Sequence, residues 1–552
     1  MAQTVAGILV EALEQIGVTH IFGLIGDSLN ALGDAVRRSK IQSVGVRHEE
    51  GGALAAAGQA KLTGRLGVCA GRTGHGSNHL VAGLYEACRD HAPVLALSGD
   101  VPRKFHGTDY FQTSEPDLLF RDVSLFTQTI LAPDHAPATI HQAIAAAYAG
   151  RGVAHLTLPQ DVLVSKASSK VPSLATLRPK EEFPASEQDI AEIAQRIDAA
   201  ETVAIMCGNG CHGAAEELVA LSDRLKAPLI HTVKGKDIMP YDHPRWMGGI
   251  GMIGTRPSYL AAQRCDVLLM LGTDYPYSNF LPDKGSAIQI DERAEVLGRR
   301  APTAFAAAGS IKPSVKLLLN KVAEKQDNSF FERVSRERRE WDEKLDRQAD
   351  LSRSADRIHP QAVARTVGEL AAKDAIFVLD TGLNTLWSAN YIRQSGSQRI
   401  IGSFNNGAVG TAVGQANGIQ ALDKSRQVIA LCGDGGFNML MSEFLTATHY
   451  KLPVKVIVYD NSAFGLITLG IDFPNPDYVG LAQACGGHGF KAQKPEELEP
   501  AIREALKTDG PAIVDAVVVA NEIPNIPDLE LELAENYAMA KVKEAVLAFT
   551  GG

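Results

Sequence analysis

The chain has 552 residues and a net charge of −10, with 45% hydrophobic and 21% charged residues. That length suggests three or four domains at roughly 150 residues each, with ample apolar material for their cores. The acidic balance without any basic run excludes a nucleic-acid footprint, and no apolar run reaches the roughly 18 residues needed to cross a bilayer.

The start, "MAQTVAGILVEALEQIGV", has neither a basic leader nor a long apolar core. It predicts a folded first helix rather than a signal peptide, and hence a cytoplasmic protein. Next, "HIFGLIG", "LGVCAG", "PVLALSGD" and "AHLTLP" read as short strands separated by amphipathic helical stretches, the pattern of parallel, doubly wound sheets. The Ser/Pro/Lys-rich stretch near 165–186 reads as a linker. A second α/β unit runs from "TVAIMCGNG" through "VLLMLGTDYPY" to "AIQIDE". The charged segment "FFERVSRERREWDEKLDRQADLSRSADRIHP" predicts a solvated helix at the next boundary, and a third unit begins near "AIFVLDTG". The expected fold class is therefore α/β: three doubly wound parallel-sheet domains at 1–180, 187–340 and 355–530, with a helical tail at 531–552. The first and third units share a rhythm that hints at a duplicated domain. Seven scattered cysteines suit a reducing compartment. Cys207 and Cys211 of "CGNGC" match neither a zinc knuckle nor a CxxC pair, and read as small residues beside a strand.

The third unit holds the densest chemistry. The apolar run "QVIALC" ends in "GDGG", which puts Asp434 at the carboxyl end of a strand, where open α/β sheets place ligand chemistry. Asp434 reads either as a helix N-cap or as a ligand. Counting 27 residues on from Asp434 reaches Asn461, where "VKVIVYDNSAFG" ends a second strand in Asp460-Asn461-Ser462. A carboxylate and a side-chain amide at one sheet edge suit Mg2+, a hard cation that takes oxygen ligands and few of them from protein. Gly433, Gly435 and Gly436 would let backbone N–H groups approach a diphosphate.

This pairing of "GDGG" with "DN" resembles the metal and diphosphate motif of thiamine-diphosphate enzymes. With "FGLIGDSLNAL", "VRHEEGGALAAAGQAKLTGRLGVCAG", "GLYEACRDHAPVLALSGD", "DYFQTSEPDLLF", "LGTDYPY" and "IQIDE", the chain is similar to the pyruvate oxidase and quinone-dependent pyruvate dehydrogenase branch over essentially residues 1–540. The resemblance implies a pyrimidine-binding first domain, an FAD-binding middle domain and a diphosphate-binding third. It implies that Glu49 of "RHEE" bonds the cofactor's aminopyrimidine, turning that ring into the base for a weakly acidic C2 proton. Val409 of "NNGAVG" matches the apolar wedge that bends the cofactor, smaller than the Met of close relatives, and Gly407 and Ala408 match its backbone contacts. Asp434, Asn461 and the Ala463 carbonyl match the metal ligands. Gly435, Gly436 and Ser462 match diphosphate contacts, and Phe464, Gly465 and Leu466 continue that cofactor segment. Phe111 and Gln112 of "DYFQ" match residues that meet the keto acid across a dimer interface. Gly251, Met252 and Ile253, then Thr273, Asp274, Tyr275, Pro276 and Tyr277, and finally Asp291, match positions that hold FAD.

The implied activity is oxidative decarboxylation of pyruvate or a close 2-oxo acid, dependent on thiamine diphosphate, Mg2+ and FAD. Acetate or acetyl phosphate and CO2 would be the products, and quinone, oxygen or another acceptor would take the electrons. Because Glu49 and Asp434 lie in different domains, the resemblance implies a site shared between subunits, in a homodimer at least and a homotetramer by expectation. Several positions depart from the family. His75 of "GRTGHGSNH" replaces a proline, and reads as a solvent-facing loop residue or as a proton donor near the thiazolium. The segment after "DNSAFGLI" is shorter, with Leu466 in place of an aromatic and Gly470 in place of a glutamate, and Ser310 replaces a usual Asp. These leave a second reading open: a non-oxidative decarboxylase or carboligase of the acetolactate synthase type, with FAD structural or absent. The close of the chain, "ENYAMAKVKEAVLAFTGG", lacks the amphipathic tail of quinone-linked relatives, so lasting lipid attachment is not expected.

Overall fold

The computed structural model describes residues 3–168, 171–174, 177, 182–282, 286–462, 474–520, 522 and 525. Three six-stranded sheets organise it, each parallel throughout and each flanked by helices. This is the α/β architecture expected from the strand–helix alternation. The first sheet is built from His20–Leu24, Gln42–Gly45, Gly67–Gly71, Val94–Asp100, Phe126–Thr129 and Val153–Pro159. The third uses Ile376–Leu379, Arg399–Gly402, Val428–Gly433, Lys455–Asp460, His488–Ala492 and Ala512–Val517. Counted within each unit, both sheets have the strand order 2-1-3-4-6-5, so the rhythm shared in the sequence corresponds to a shared topology. The middle sheet, from Val203–Cys207, Leu229–His231, Trp246–Gly249, Val267–Leu271, Ala287–Asp291 and Thr303–Ala308, has the order 3-2-1-4-5-6 of dinucleotide-binding sheets.

Strands such as Val94–Asp100 and Val203–Cys207 are buried along their whole length, because helices cover both faces and no polar alternation is needed. In each sheet the order reverses beside the first strand, opening a crevice at the carboxyl ends of two neighbours. Those pairs are His20–Leu24 with Gly67–Gly71, Val203–Cys207 with Val267–Leu271, and Ile376–Leu379 with Val428–Gly433. The acids Asp380 and Asp434 described below stand at the crevice of the third sheet.

The charged boundary segment forms the helix Ser329–Ala349, but it is not solvated all round. Phe330 and Val334 pack into the core of the middle domain, whereas Trp341, Leu345 and Ala349 pack into that of the third. Its buried residues, Arg338 among them, recur every three or four positions along one stripe, so one helix closes two cores. The linker is likewise anchored: Leu174 joins the first core, and Ser310 exchanges hydrogen bonds with the Phe183 backbone. Ser310 thus fastens the linker to the middle domain. Among the described residues no helix is long and apolar enough to cross a membrane.

Candidate active site

Two acids stand at the reversal point of the third sheet. Asp380 follows the strand Ile376–Leu379, and Asp434 follows Val428–Gly433. Asp434 is the first residue of the short helix Asp434–Met439, whose cap position falls on Gly433, so Asp434 does not act as the N-cap. Its buried carboxylate accepts from Gly435 N at 2.8 Å, Asn461 N at 3.1 Å, Ser462 N at 2.6 Å and Asn475 Nδ2 at 2.8 Å. Asn475 also donates to Asp460 at 2.7 Å, and Asn438 donates to Asn475 at 3.0 Å. Burial pushes the Asp434 carboxyl above the usual range despite these bonds. A bound cation would offset that cost, and carboxylate and amide oxygens are the donors that Mg2+ takes. Asn438 and Asn475 escaped the sequence reading, since a lone asparagine, whether in a short helix like Asn438 or in a loop like Asn475, carries no pattern.

A cavity of about 190 Å3 opens here, lined by Gly433, Asp434, Gly435, Gly436, Asn461 and Val409 among others. Gly436 admits no side chain, because a Cβ would collide with the Asp380 carboxylate. That carboxylate accepts from Thr381 N at 2.9 Å, Gly410 N at 2.9 Å and Thr411 N at 3.1 Å. Asp380 therefore fastens the loop of Gly407, Ala408 and Val409 beside the glycine turn. Burial, outweighing the three backbone donors, raises its pKa to about 7. Its sequence signal was available: "AIFVLD" places an acid after an apolar strand just as "IALCGD" does. At the other end of the loop Ala408 N donates to Ser403 Oγ at 2.9 Å, and Ser403 Oγ donates to Glu86 of the first domain at 2.6 Å. Ala463, Phe464, Gly465, Leu466 and Gly470 lie outside the described residues.

The first-domain residues gather apart from that cavity. Glu49 opens the helix Glu49–Thr63 and is 4% exposed. Its carboxylate meets His79 Nδ1 at 2.9 Å, and His79 stacks on His48 with ring centres 4.5 Å apart. Gly76 packs against both Glu49 and Arg72. His75 is exposed, and Arg72 donates to its Nε2 at 2.6 Å, so that nitrogen carries no proton and Nδ1 does. Gln112 has a left-handed backbone (φ 62°), and its carbonyl crowds Gly74 of the same glycine loop. Phe111 beside it is 76% exposed. Within one chain, none of the described first-domain residues lines the cavity at Asp434. His48, Glu49 and His79 also present ligand atoms within 4.8 Å of one another, the one such cluster of three found among the described residues.

In the middle domain, a cavity of about 620 Å3 is lined by Met252, Ile253, Thr273, Asp274, Tyr275, Pro276, Tyr277 and Asp291. Gly251 (φ 98°) lies directly under the Tyr275 hydroxyl, which leaves no room for a Cβ. Asp274 is clamped by Arg299 and Arg300, the latter at 3.0 Å, and Arg293 N donates to Asp291 at 2.9 Å. The cavity extends to Thr381, Gly382 and Gly407 of the third domain, so its far wall belongs to the loop that carries Val409.

The reversal-point acids, the glycine turn and the two cavities point to a class, and the comparisons with known proteins agree. Three family models match in succession: the N-terminal TPP-binding domain of thiamine pyrophosphate enzymes over residues 3–118, their central domain over 190–318, and their C-terminal TPP-binding domain over 380–516. The chain is 36% identical to the protein YdaP of Bacillus subtilis over 543 residues, covering 95% of this chain and 93% of that one. It is 30% identical to pyruvate oxidase of Lactiplantibacillus plantarum, over 96% of this chain and 91% of that protein. It is also 27% identical to the large subunit of acetolactate synthase isozyme 2 of Escherichia coli, over 96% and 98%. The chain belongs to the thiamine pyrophosphate enzyme family.

Proposed function

We propose that the protein catalyses oxidative decarboxylation of pyruvate or a close 2-oxo acid to acetate or acetyl phosphate and CO2, using thiamine diphosphate, Mg2+ and FAD. The observation that carries the flavin-dependent part of this reading is the middle-domain cavity. All but one of the flavin positions expected from sequence line it, the exception, Gly251, packs against the Tyr275 hydroxyl, and the cavity reaches Gly407 of the Val409 loop. When bound, thiamine diphosphate supplies the electron sink for decarboxylation, and FAD a two-electron acceptor.

The chain's own groups would then act by position. Asp434 and Asn461 would hold the metal, with the amides of Gly435 and Gly436 at the helix start facing a diphosphate. Val409 would support the cofactor between its two rings. Glu49, buried and oriented by His79, would hold a proton at the aminopyrimidine ring nitrogen. Phe111 and Gln112 would meet the substrate. Since Glu49 and the Asp434 cavity stand apart in one chain, two copies would complete each site, in a homodimer or homotetramer.

The test is product and acceptor stoichiometry with pyruvate. One reduced ferricyanide pair per CO2 supports the oxidative reading. Acetolactate formed without acceptor reduction would replace it with carboligation, which the likeness to acetolactate synthase over nearly the whole chain favours as the second reading.

A further inference from the structure

The helix that carries Glu49 belongs to the first domain by sequence, yet much of what holds it comes from the third. Along its length, Gly58 and Leu54 lie against the backbone of Gln415 and Gly414 on the helix Ala412–Leu422, and Gly418 leaves no room for a Cβ beside the Ala55 carbonyl. Near its C-terminal end, Lys61 donates to Gly402 O at 3.0 Å and to Gln415 Oε1 at 3.2 Å.

The N-terminal end is held by one side chain. Glu443 opens the third-domain helix Glu443–His449 and is fully buried. Its Oε1 accepts from Arg47 N at 2.9 Å and from His48 N at 3.0 Å, the two amides that lead directly into Glu49. Thr446 Oγ1 donates to Oε2 at 2.8 Å and fixes the carboxyl plane. A Cβ on Gly51 would come within 2.5 Å of that carboxyl, so the first turn of the Glu49 helix lies directly against it. At the end of the same third-domain helix, Tyr450 Oη accepts from Gly45 N at 2.6 Å, two residues further upstream. The strand exit Gly45–His48 is thus attached to the third domain through three amides, those of Gly45, Arg47 and His48.

We propose that Glu443 is a positioning residue for Glu49, setting the place of the first-domain carboxylate from the third domain through the amides of Arg47 and His48. The inference rests on the role given to Glu49 above. A buried acceptor shared by two amides fixes the path of the backbone, and a glutamate whose backbone shifts by an ångström loses its hydrogen bond to a ring nitrogen. Burial also raises the pKa of Glu443, and its neutral form still offers Oε1 to both amides. The role needs an acceptor and no charge, so glutamine should fill it, with its NH2 turned to the Thr446 hydroxyl.

The experiment compares Glu443→Ala, Glu443→Gln and Glu49→Gln in the full-length protein. The first readout is amide hydrogen exchange of the 44–50 segment without cofactor. Glu443→Ala should raise it at least 10-fold and Glu443→Gln by less than 3-fold. The second is the split between thiamine diphosphate Kd with Mg2+ and the rate of C2 proton exchange. Glu443→Ala should leave Kd within about 3-fold and slow C2 exchange at least 10-fold, while Glu443→Gln restores the rate. Should Glu443→Ala not fold, Tyr450→Phe reads the same attachment, with a smaller loss of C2 exchange at unchanged Kd. Normal C2 exchange in folded Glu443→Ala or, failing that variant, in Tyr450→Phe overturns the proposal, as does a Glu443→Gln as impaired as alanine. Normal exchange in Glu49→Gln removes the role of Glu49 itself, and this proposal with it.

Discussion

Asp380 and Asp434 occupy equivalent places, one residue past two adjacent parallel strands, yet the structure uses them differently. Asp380 is spent on backbone amides and holds a loop; Asp434 faces a cavity with an amide and a second acid beside it. Asp434→Ala should therefore raise the Kd for thiamine diphosphate with Mg2+ at least 100-fold while the apo protein melts within about 2 °C of wild type. Calorimetric titration and thermal melting check the pair, and tight binding in that variant would remove Asp434 as the metal ligand. Asp380 instead leaves a mark on pH. Its folded pKa is raised to about 7, so the native state binds the proton more tightly than the unfolded chain. The associated stability is full at acid pH and is lost as pH rises from the ordinary carboxylate range through about 7. Asp380→Asn, which needs no proton, should flatten the fall in melting temperature of the apo protein between pH 5.5 and 8, relative to wild type.

At the level of helices and strands, close backbone approach explains what composition left obscure. The segment "EEGGALAAAGQAKLT" has little amphipathic contrast, because the helix Glu49–Thr63 is buried on nearly all sides by the first sheet and by Ala412–Leu422. Small residues there permit backbone contact across the domain boundary. Gly418→Ala should destabilise the protein by about 1–3 kcal/mol through overpacking, read by chemical denaturation. The strands were legible from apolar runs bounded by glycine, and the reversal-point acid Asp434 from its place after one. What sequence could not reveal was pairing between distant segments: His79 on Glu49, Asn475 on Asp434, Glu443 on the amides before Glu49. None of these has a local spacing signal, since each joins segments far apart in the chain, and the Glu443 contact also joins two domains. The charged helix Ser329–Ala349 was read as solvated because its many charges hide one apolar stripe.

Across the whole molecule, the three domains converge on a small ionic junction. Lys61 and Lys234 both reach Asp90, at 2.6 Å and 3.0 Å, and Lys61 also meets Glu86. Burial alone would raise the pKa of Asp90, but the two ammonium groups override it and hold the carboxyl at about 2. Asp90→Ala would leave both lysines without this buried partner and should cost about 3 kcal/mol of stability, seen as an earlier transition in urea. Ser403 and Glu86 carry the same junction to the loop of Val409, so the middle-domain cavity, that loop and the Glu49 helix share one frame. The most direct measurement is the absorption spectrum of the purified protein before and after anaerobic pyruvate with thiamine diphosphate and Mg2+. A flavin-dependent oxidative decarboxylase gives flavin bands that bleach on adding pyruvate. Bands that persist, or no flavin bands at all, would contradict it.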